Sequence, residues 1–485
     1  MNKKFIINLF FLLFLNVLIK PFWIFGVERK VQNLVGSEEF GFYFSLLSFS
    51  LLINIILDFG ITNFNNRNIS QNHNILSKHF SNIVTLRIFL AIIYAVVSLS
   101  SALITGYDLR QMQMLGILIF NQFLASFTLY LRSNISGLQL FKTDSLISVL
   151  DRFLMITICS ILIWGNITNT QFKIEWFVLS QTFSYLLTSI VAFIIVIRKT
   201  TFFRLNFDIK FFLIFLRKSY PYALLTLLMS FYNRIDSVML ERLLPNGKEQ
   251  TGIYGQAYRI LDASAQFAFL FSVLLLPMFA KMLKKNQNIQ SLSQLSFSLI
   301  IIPTIIIVNI CIFFNYDIMS LMYVEHFQES SKLLSILMIG FMGIATSYIF
   351  GTLLTANGNL KYLNIMACFG MILNIVLNLI LIPKFQSIGA AVSSMITQLL
   401  TAITQVFIAK KVFKFNLNYK LLVRIFVFMT ISTATTYIFT LPDINIKWYY
   451  SIGIVILINI SLAFAIRLLN FKSVRLLMIN QENKV

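Results

Sequence analysis

The chain has 485 residues, 58% of them hydrophobic and only 12% charged, with 50 Phe and a mean hydropathy of +0.81. Soluble domains carry roughly 25% charged residues, so a water-soluble globule is excluded and an all-α integral membrane protein is expected. The formal net charge of +21 does not point to nucleic acid, because the cations are spread over short gaps between apolar runs and form no basic domain.

Apolar runs long enough to cross roughly 30 Å of hydrocarbon recur along the whole chain. They predict about fourteen spans, at 5–25, 40–62, 81–106, 112–131, 144–165, 174–197, 219–243, 252–280, 293–315, 333–356, 360–383, 386–409, 421–441 and 447–467. Lys3 and Lys4 before the first run resemble a signal peptide, but no small-residue cleavage site follows, so it reads as an uncleaved first span. Cys159, Cys311 and Cys368 fall inside apolar runs and form no CxxC pair, so they read as small core residues rather than as metal ligands or a disulfide.

An even number of spans puts both termini on one side. Placing them inside assigns 24 Lys and Arg to cytoplasmic connections and nine to outer ones, with the remaining six within spans. That asymmetry fixes the orientation by the positive-inside rule, and it sets Trp23, Trp164, Trp176 and Trp448 at the outer interface. The longest cytoplasmic connection, Arg198–Lys218, carries six cations and divides the first twelve spans into two sets of six. The domain reading is therefore an N-lobe over 1–198, a basic linker over 199–218, a C-lobe over 219–411, and two further spans with a cytoplasmic tail over 412–485.

The two sets look like a repeat. Glu28-Arg29 after span one is matched by Glu241-Arg242 after span seven. Gly41-Phe42-Tyr43 opening span two is matched by Gly252-Ile253-Tyr254 opening span eight, and Gly137 after span four by Gly358 after span ten. Such repeats are common in transporters, which carry substrate between the repeated halves.

Six cations lie inside spans: Lys20, Arg87, Arg152, Arg234, Arg259 and Arg424. Each costs about 2.5–3.5 kcal/mol on insertion scales when placed at a helix centre. Lys20, Arg87 and Arg152 are near enough to span ends to reach the interface instead, and Arg424 is read that way. Arg234 sits mid-span, two residues from Asp236, so the two do not share a helix face and one is expected to face a wet cavity. Arg259 and Asp262 are three apart; they read either as a salt bridge or as cavity groups. Lys20 and Arg234 hold matching places in the two halves, and a cation from each facing one cavity would suit an anionic substrate, since Arg presents a planar fork to phosphate oxygens. Asp58 and Asp151, near cytoplasmic span ends, read as gating or end-capping groups, with proton or sodium coupling as the alternative for these and for Asp236 and Asp262.

The stretch Leu34-Val35-Gly36-Ser37-Glu38-Glu39-Phe40-Gly41-Phe42-Tyr43, and Asp58-Phe59-Gly60-Ile61 after it, resemble bacterial polysaccharide repeat-unit flippases of the Wzx type. Ser219-Tyr220-Pro221, Arg234-Ile235-Asp236 and Gly252-Ile253-Tyr254-Gly255-Gln256-Ala257-Tyr258-Arg259 are similar to the best-marked region of the same family. The resemblance implies membership of the multidrug/oligosaccharidyl-lipid/polysaccharide exporter superfamily, two six-helix lobes with alternating access, and an undecaprenyl-pyrophosphate-linked oligosaccharide as substrate in the bacterial inner membrane. It implies a cationic cavity, for which Arg234, Lys20, Arg259, Arg87 and Arg152 are the candidates. A coupling ion (proton or sodium) and the polymerase and chain-length machinery are the expected partners beside the bilayer, with no cofactor and no metal. No GxxxxGK[ST] loop is present, so ATP hydrolysis is not expected of this chain.

Two rivals remain. A drug or cation antiporter of the same superfamily would want acids in its cavity, whereas cations outnumber acids in these spans. A membrane polysaccharide polymerase or glycosyltransferase would need a catalytic surface outside the bilayer. The longest outer loop, Asn315–Lys332, offers only Glu325, His326 and Glu329, which read as solvated loop residues.

Overall fold

The computed structural model describes residues 22–62, 75–138, 140–165, 171–200, 206–415, 418–442 and 446–468, with positions 15, 18, 19, 65, 69, 204 and 444. After a π-helical turn at Phe22–Glu28, thirteen α-helices follow among these residues: α1 Arg29–Leu52, α2 Ile75–Ile104, α3 Leu109–Gly137, α4 Phe141–Trp164, α5 Ile174–Ile197, α6 Ile209–Leu243, α7 Gly247–Lys284, α8 Gln290–Phe313, α9 Asn315–Met322, α10 Phe327–Ala356, α11 Leu360–Phe413, α12 Tyr419–Ile438 and α13 Trp448–Ala465. Helix fills the predicted spans from the third to the fourteenth to within a few residues, whereas the second, 40–62, is α-helical only to Leu52 and continues as a 3-10 turn at Asn54–Leu57; most of the first, with Lys20, lies outside the described residues. Nine of these helices are long and apolar enough to cross a membrane, and α11 at 54 residues is long enough for two passes. All-helical structure is what hydrocarbon demands, since each backbone polar group must be satisfied within its own segment.

Two breaks are built into the helices. Within α1 the backbone leaves helical geometry at Gly36, whose φ of 82° is a left-handed value that a side chain resists. Within α11 the break is at Gln386, three residues after Pro383, and it separates the eleventh span from the twelfth where the sequence places their junction.

The chain divides into two compact units, Met1–Gly252 and Ile253–Val485. The first takes in α1–α6 and the opening turn of α7. At one end of it Trp23 stacks on Phe177 (centroids 5.6 Å apart), Phe177 meets Tyr43 edge-on, and Gln181 Nε2 donates to Tyr43 Oη at 3.0 Å. At the other end Ile61, Leu76, Phe80, Val84, Tyr130, Val196 and Phe212 form a second apolar cluster. Trp23 is therefore a buried packing residue, 4% exposed, rather than the interfacial ring expected from its place near a span end.

Close packing in the first unit centres on α1, where it crosses the α6–α7 corner. A Cβ on Gly41 would run into the carbonyl oxygen of Lys248, and one on Gly252 into the carbonyl oxygen of Ser37. Only glycine permits backbones to come this near. Gln32 Nε2 donates to Gly252 O at 3.1 Å beside the crossing.

In the second unit α10 packs along both arms of α11, and α8, α12 and α13 share a cluster of Ile301, Ile305, Phe428, Ala463 and Leu468. The second arm of α11 turns a polar, small-residue face inward. Its hydroxyls satisfy themselves on the preceding helical turn: Ser393 on Gly389 O (3.0 Å), Thr397 on Ser393 O (2.8 Å) and Thr401 on Thr397 O (2.9 Å). Asn309 Nδ2 on α8 donates to Ser432 Oγ at 2.8 Å, which fastens α12 to the unit.

Candidate functional site

The intramembrane charges named from sequence do not share one environment. Arg87 on α2 is 2% exposed. It is paired with Asp58, and its Nη2 also donates to Thr62 Oγ1 at 2.7 Å. Nη1 donates to Ser126 O and Oγ at 3.0 and 3.1 Å, and the guanidinium lies 4.7 Å from the centre of the Tyr130 ring. Two residues taken as separate candidates, Arg87 and Asp58, thus form one internal cluster. Its chemistry is that of a buried pair with nearly all its hydrogen bonds made, which holds α2, α3 and the segment after α1 together.

Arg152 on α4 is half-buried. Its Nε stands 3.8 Å from Asp151 Oδ2, and its guanidinium lies 5.6 Å from the Trp23 ring and 5.7 Å from the Tyr185 ring. Asp151 also accepts from the Arg152 amide at 2.8 Å. Aromatic faces with a neighbouring carboxylate keep a cation in place at low cost. On α6, Arg234 is half-buried and Asp236 is 1% exposed. On α7, Arg259 and Asp262 are both half-buried in the second unit. Arg234, Asp236, Arg259 and Asp262 each engage in polar or electrostatic interactions.

A further cluster lies at the end of the first unit that holds the α2–α3 loop. Arg110 Nη1 and Nη2 bind Glu39 in a fork at 2.8 and 2.6 Å, and Nη2 reaches Glu175 at 2.8 Å. Arg110 lies 4.6 Å from the Phe42 ring, which Lys248 also approaches at 5.4 Å. Next to it Gln111 donates to Glu241, Arg242 lies 3.8 Å from the Tyr107 ring, and Asp108 caps α3 in a reciprocal capping box with Gln111. Burial raises the Tyr107 phenol above its ordinary range; Glu241 adds to the shift and Arg242 opposes it. Sequence reasoning counted Arg110 only as an outer-loop cation. Nothing in the spacing of residues 39, 110 and 175 signals that they meet.

The stretch Asn315–Lys332, expected as a loop, is mostly helix (α9 and the start of α10) and offers little chemistry. His326 Nδ1 stands 3.8 Å from Glu329, Gln256 Nε2 donates to the Glu325 carbonyl at 3.1 Å, and among the described residues no group of three metal-ligating side chains occurs.

Comparison with known proteins fits this picture. The sequence profile of the family described as "Polysaccharide biosynthesis protein" matches residues 8–283. The capsular polysaccharide biosynthesis protein CapF of Staphylococcus aureus is 26% identical over 201 residues, 40% of this chain and 49% of that protein. A membrane protein of Methanocaldococcus jannaschii is 26% identical over 209 residues, 43% of this chain and 47% of its own length. The matched part thus spans about half the length of each curated relative. Among solved structures, the lipid II flippase MurJ in an inward closed conformation superposes with a TM-score of 0.72 at 15% identity, covering 97% of this chain and 100% of that one. An inward-facing multidrug resistance MATE family transporter of the MOP superfamily gives 0.60 at 13% identity, covering 83% and 98%. The fold is that of these membrane transporters.

Proposed function

Because the chain belongs to the polysaccharide biosynthesis protein family, we propose that it is a flippase for surface polysaccharide. It moves undecaprenyl-pyrophosphate-linked oligosaccharide repeat units from the cytoplasmic to the periplasmic leaflet of the bacterial inner membrane, for O-antigen or capsule assembly. The observation that carries the reading is Arg234, a half-buried guanidinium well inside α6 in a chain from this family. Its planar fork of donors suits the phosphate oxygens of an anionic headgroup.

In this mechanism the pyrophosphate and sugars enter an inward-open cavity while the isoprenoid tail stays in the bilayer. Arg234, with Lys20 and Arg259, replaces hydration that the phosphates lose on entry. Two six-helix lobes, 1–198 and 219–411, rock in alternating access, with both termini in the cytoplasm. Arg87 is given a structural role, because Asp58, Thr62 and Ser126 occupy its donors. Arg152, held against the Trp23 and Tyr185 rings, is the remaining candidate cation of the cavity. Drive comes from a proton or sodium gradient acting through Asp236 or Asp262, or from downstream consumption of the product. Polymerase and chain-length machinery are the partners that take up the unit.

Deletion of the gene followed by analysis of lipid-linked intermediates tests the reading. Undecaprenyl-pyrophosphate oligosaccharide accumulating on the cytoplasmic side is expected. Unchanged intermediates with normal surface polysaccharide would overturn it.

A further inference from the structure

The segment that leads into α6 is a fixed strap with an exposed face of unusual composition. Its backbone is pinned to α2: the Arg204 amide donates to Ser81 Oγ at 3.2 Å and the Asn206 amide to Thr85 Oγ1 at 3.1 Å, while Asn206 Nδ2 donates to Asn82 Oδ1 at 3.0 Å. The Phe207 ring meets Phe89 and Phe212 edge-on, with centroids 5.7 and 5.1 Å away, and Phe212 is buried in the apolar cluster of the first unit. Helix begins at Ile209, ten residues before the predicted span, and runs on through that span to Leu243.

With 3.6 residues per turn, Phe212 and Leu216 share the inward face of this first stretch, and Ile209, Leu213, Arg217, Lys210 and Ile214 share the outward one. Leu213 is 63% exposed and Ile214 60%, and Lys210 and Arg217 are exposed between them. Bulk water would leave the two aliphatic side chains unburied, and hydrocarbon would strand the two cations. The headgroup layer satisfies both. The helix to which the strap is pinned, α2, is itself one of those long and apolar enough to cross a membrane. Nearby Arg198, Lys199 and Arg204 are also exposed, and Asp208 is the one acid in the sequence from Arg198 to Lys218.

We propose that the strap over 206–217 is a binding surface for anionic phospholipid headgroups of the cytoplasmic leaflet. Leu213 and Ile214 dip into the acyl boundary, and Lys210 and Arg217 contact phosphates. The strap joins the helices before it to α6, so lipid charge acts on the connection that the proposed rocking must bend. The headgroup binding stands on the membrane location alone; only its action on rocking rests on the flippase reading.

The test places an environment-sensitive fluorophore at Leu213→Cys in a full-length chain with Cys159, Cys311 and Cys368 replaced by Ala. The protein is reconstituted into neutral phosphatidylcholine nanodiscs, and phosphatidylglycerol is titrated in. Both leaflets are identical there, so the result does not depend on orientation. A saturable blue shift is expected, with weak quenching by aqueous iodide. Removing a surface cation weakens attraction to anionic lipid roughly fivefold. Lys210→Gln with Arg217→Gln therefore moves the midpoint to at least about tenfold more phosphatidylglycerol, and Lys210→Arg leaves it in place. A monodisperse gel-filtration peak checks that each variant is folded. Strong iodide quenching in every lipid mixture would put the segment in water and overturn the proposal. An unchanged midpoint in the folded double variant would do the same.

Discussion

Replacing Arg87 by Met separates an architectural role from a substrate role for this cation. The substitution removes hydrogen bonds to Ser126 and Thr62, the pairing with Asp58 and the stacking on Tyr130. Interhelical hydrogen bonds in membranes average about 0.6 kcal/mol, so those to Ser126 and Thr62 alone contribute about 2 kcal/mol. Stranding one member of a buried pair costs about 3–5 kcal/mol, and Asp58, 26% exposed, sets the cost at the low end of that range. Spread over a unit of about 250 residues, at some 2–4 °C per kcal/mol, the single variant should melt roughly 10 °C below the parent. Fluorescence-detected gel filtration after heating, at one fixed heating schedule because membrane-protein unfolding is irreversible, reads the shift. Arg87→Met with Asp58→Asn removes both charges while leaving acceptors for the Thr62 amide and hydroxyl, which bind Asp58 Oδ1 in the parent. The double variant should recover to within about 3 °C of the parent and export polysaccharide. A single variant as stable as the parent would refute the structural assignment. So would a double variant that is stable yet inactive, because Arg87 would then be serving the substrate.

Three further outcomes are expected. Gly41→Ala forces a methyl group into the Lys248 carbonyl, and overpacking of this kind costs about 1–3 kcal/mol or more; a monodisperse peak at parental yield would contradict the close crossing. Arg110→Ala dissolves the network with Glu39 and Glu175, but Arg110 is half exposed and exposed pairs contribute about 0–1 kcal/mol, so melting within about 3 °C of the parent is expected and a large loss would show a buried role. Arg234→Ala should abolish surface polysaccharide at normal protein level, with Arg234→Lys partly active; wild-type export by the alanine variant would remove Arg234 from the proposed cavity.

The helices themselves were legible because hydrocarbon imposes a single length and a single backbone solution. The junction between spans eleven and twelve fell where Gln386 breaks α11. The start of α6 was missed by ten residues: Ile209–Lys218 carries cations, and a hydropathy window cannot tell an interfacial helix from a linker. Partner choice was not legible either. Asp58, in the segment after α1, and Arg87, on α2, are 29 residues apart, and a single sequence holds no record of which neighbour tertiary packing supplies. Trp23 was placed by its position at a span end, but ring orientation is set by Phe177 and Arg152 from elsewhere in the chain. The rule that intramembrane charge marks function singled out the charged residues within the spans, and packing sets Arg87 and Asp58 apart as one internal pair.

The glycine crossing is reciprocal. Gly41 faces the Lys248 carbonyl and Gly252 faces the Ser37 carbonyl, and each contact is the other displaced by 211 residues. A patch that meets its own copy in this way is what a two-fold axis between identical chains produces. Between identical chains one glycine position would serve both contacts, because each copy supplies the other's partner. Within a single chain the requirement falls on two positions, 41 and 252. A substitution at either is not mirrored at the other, so the chain can lose the symmetry of this contact one side at a time.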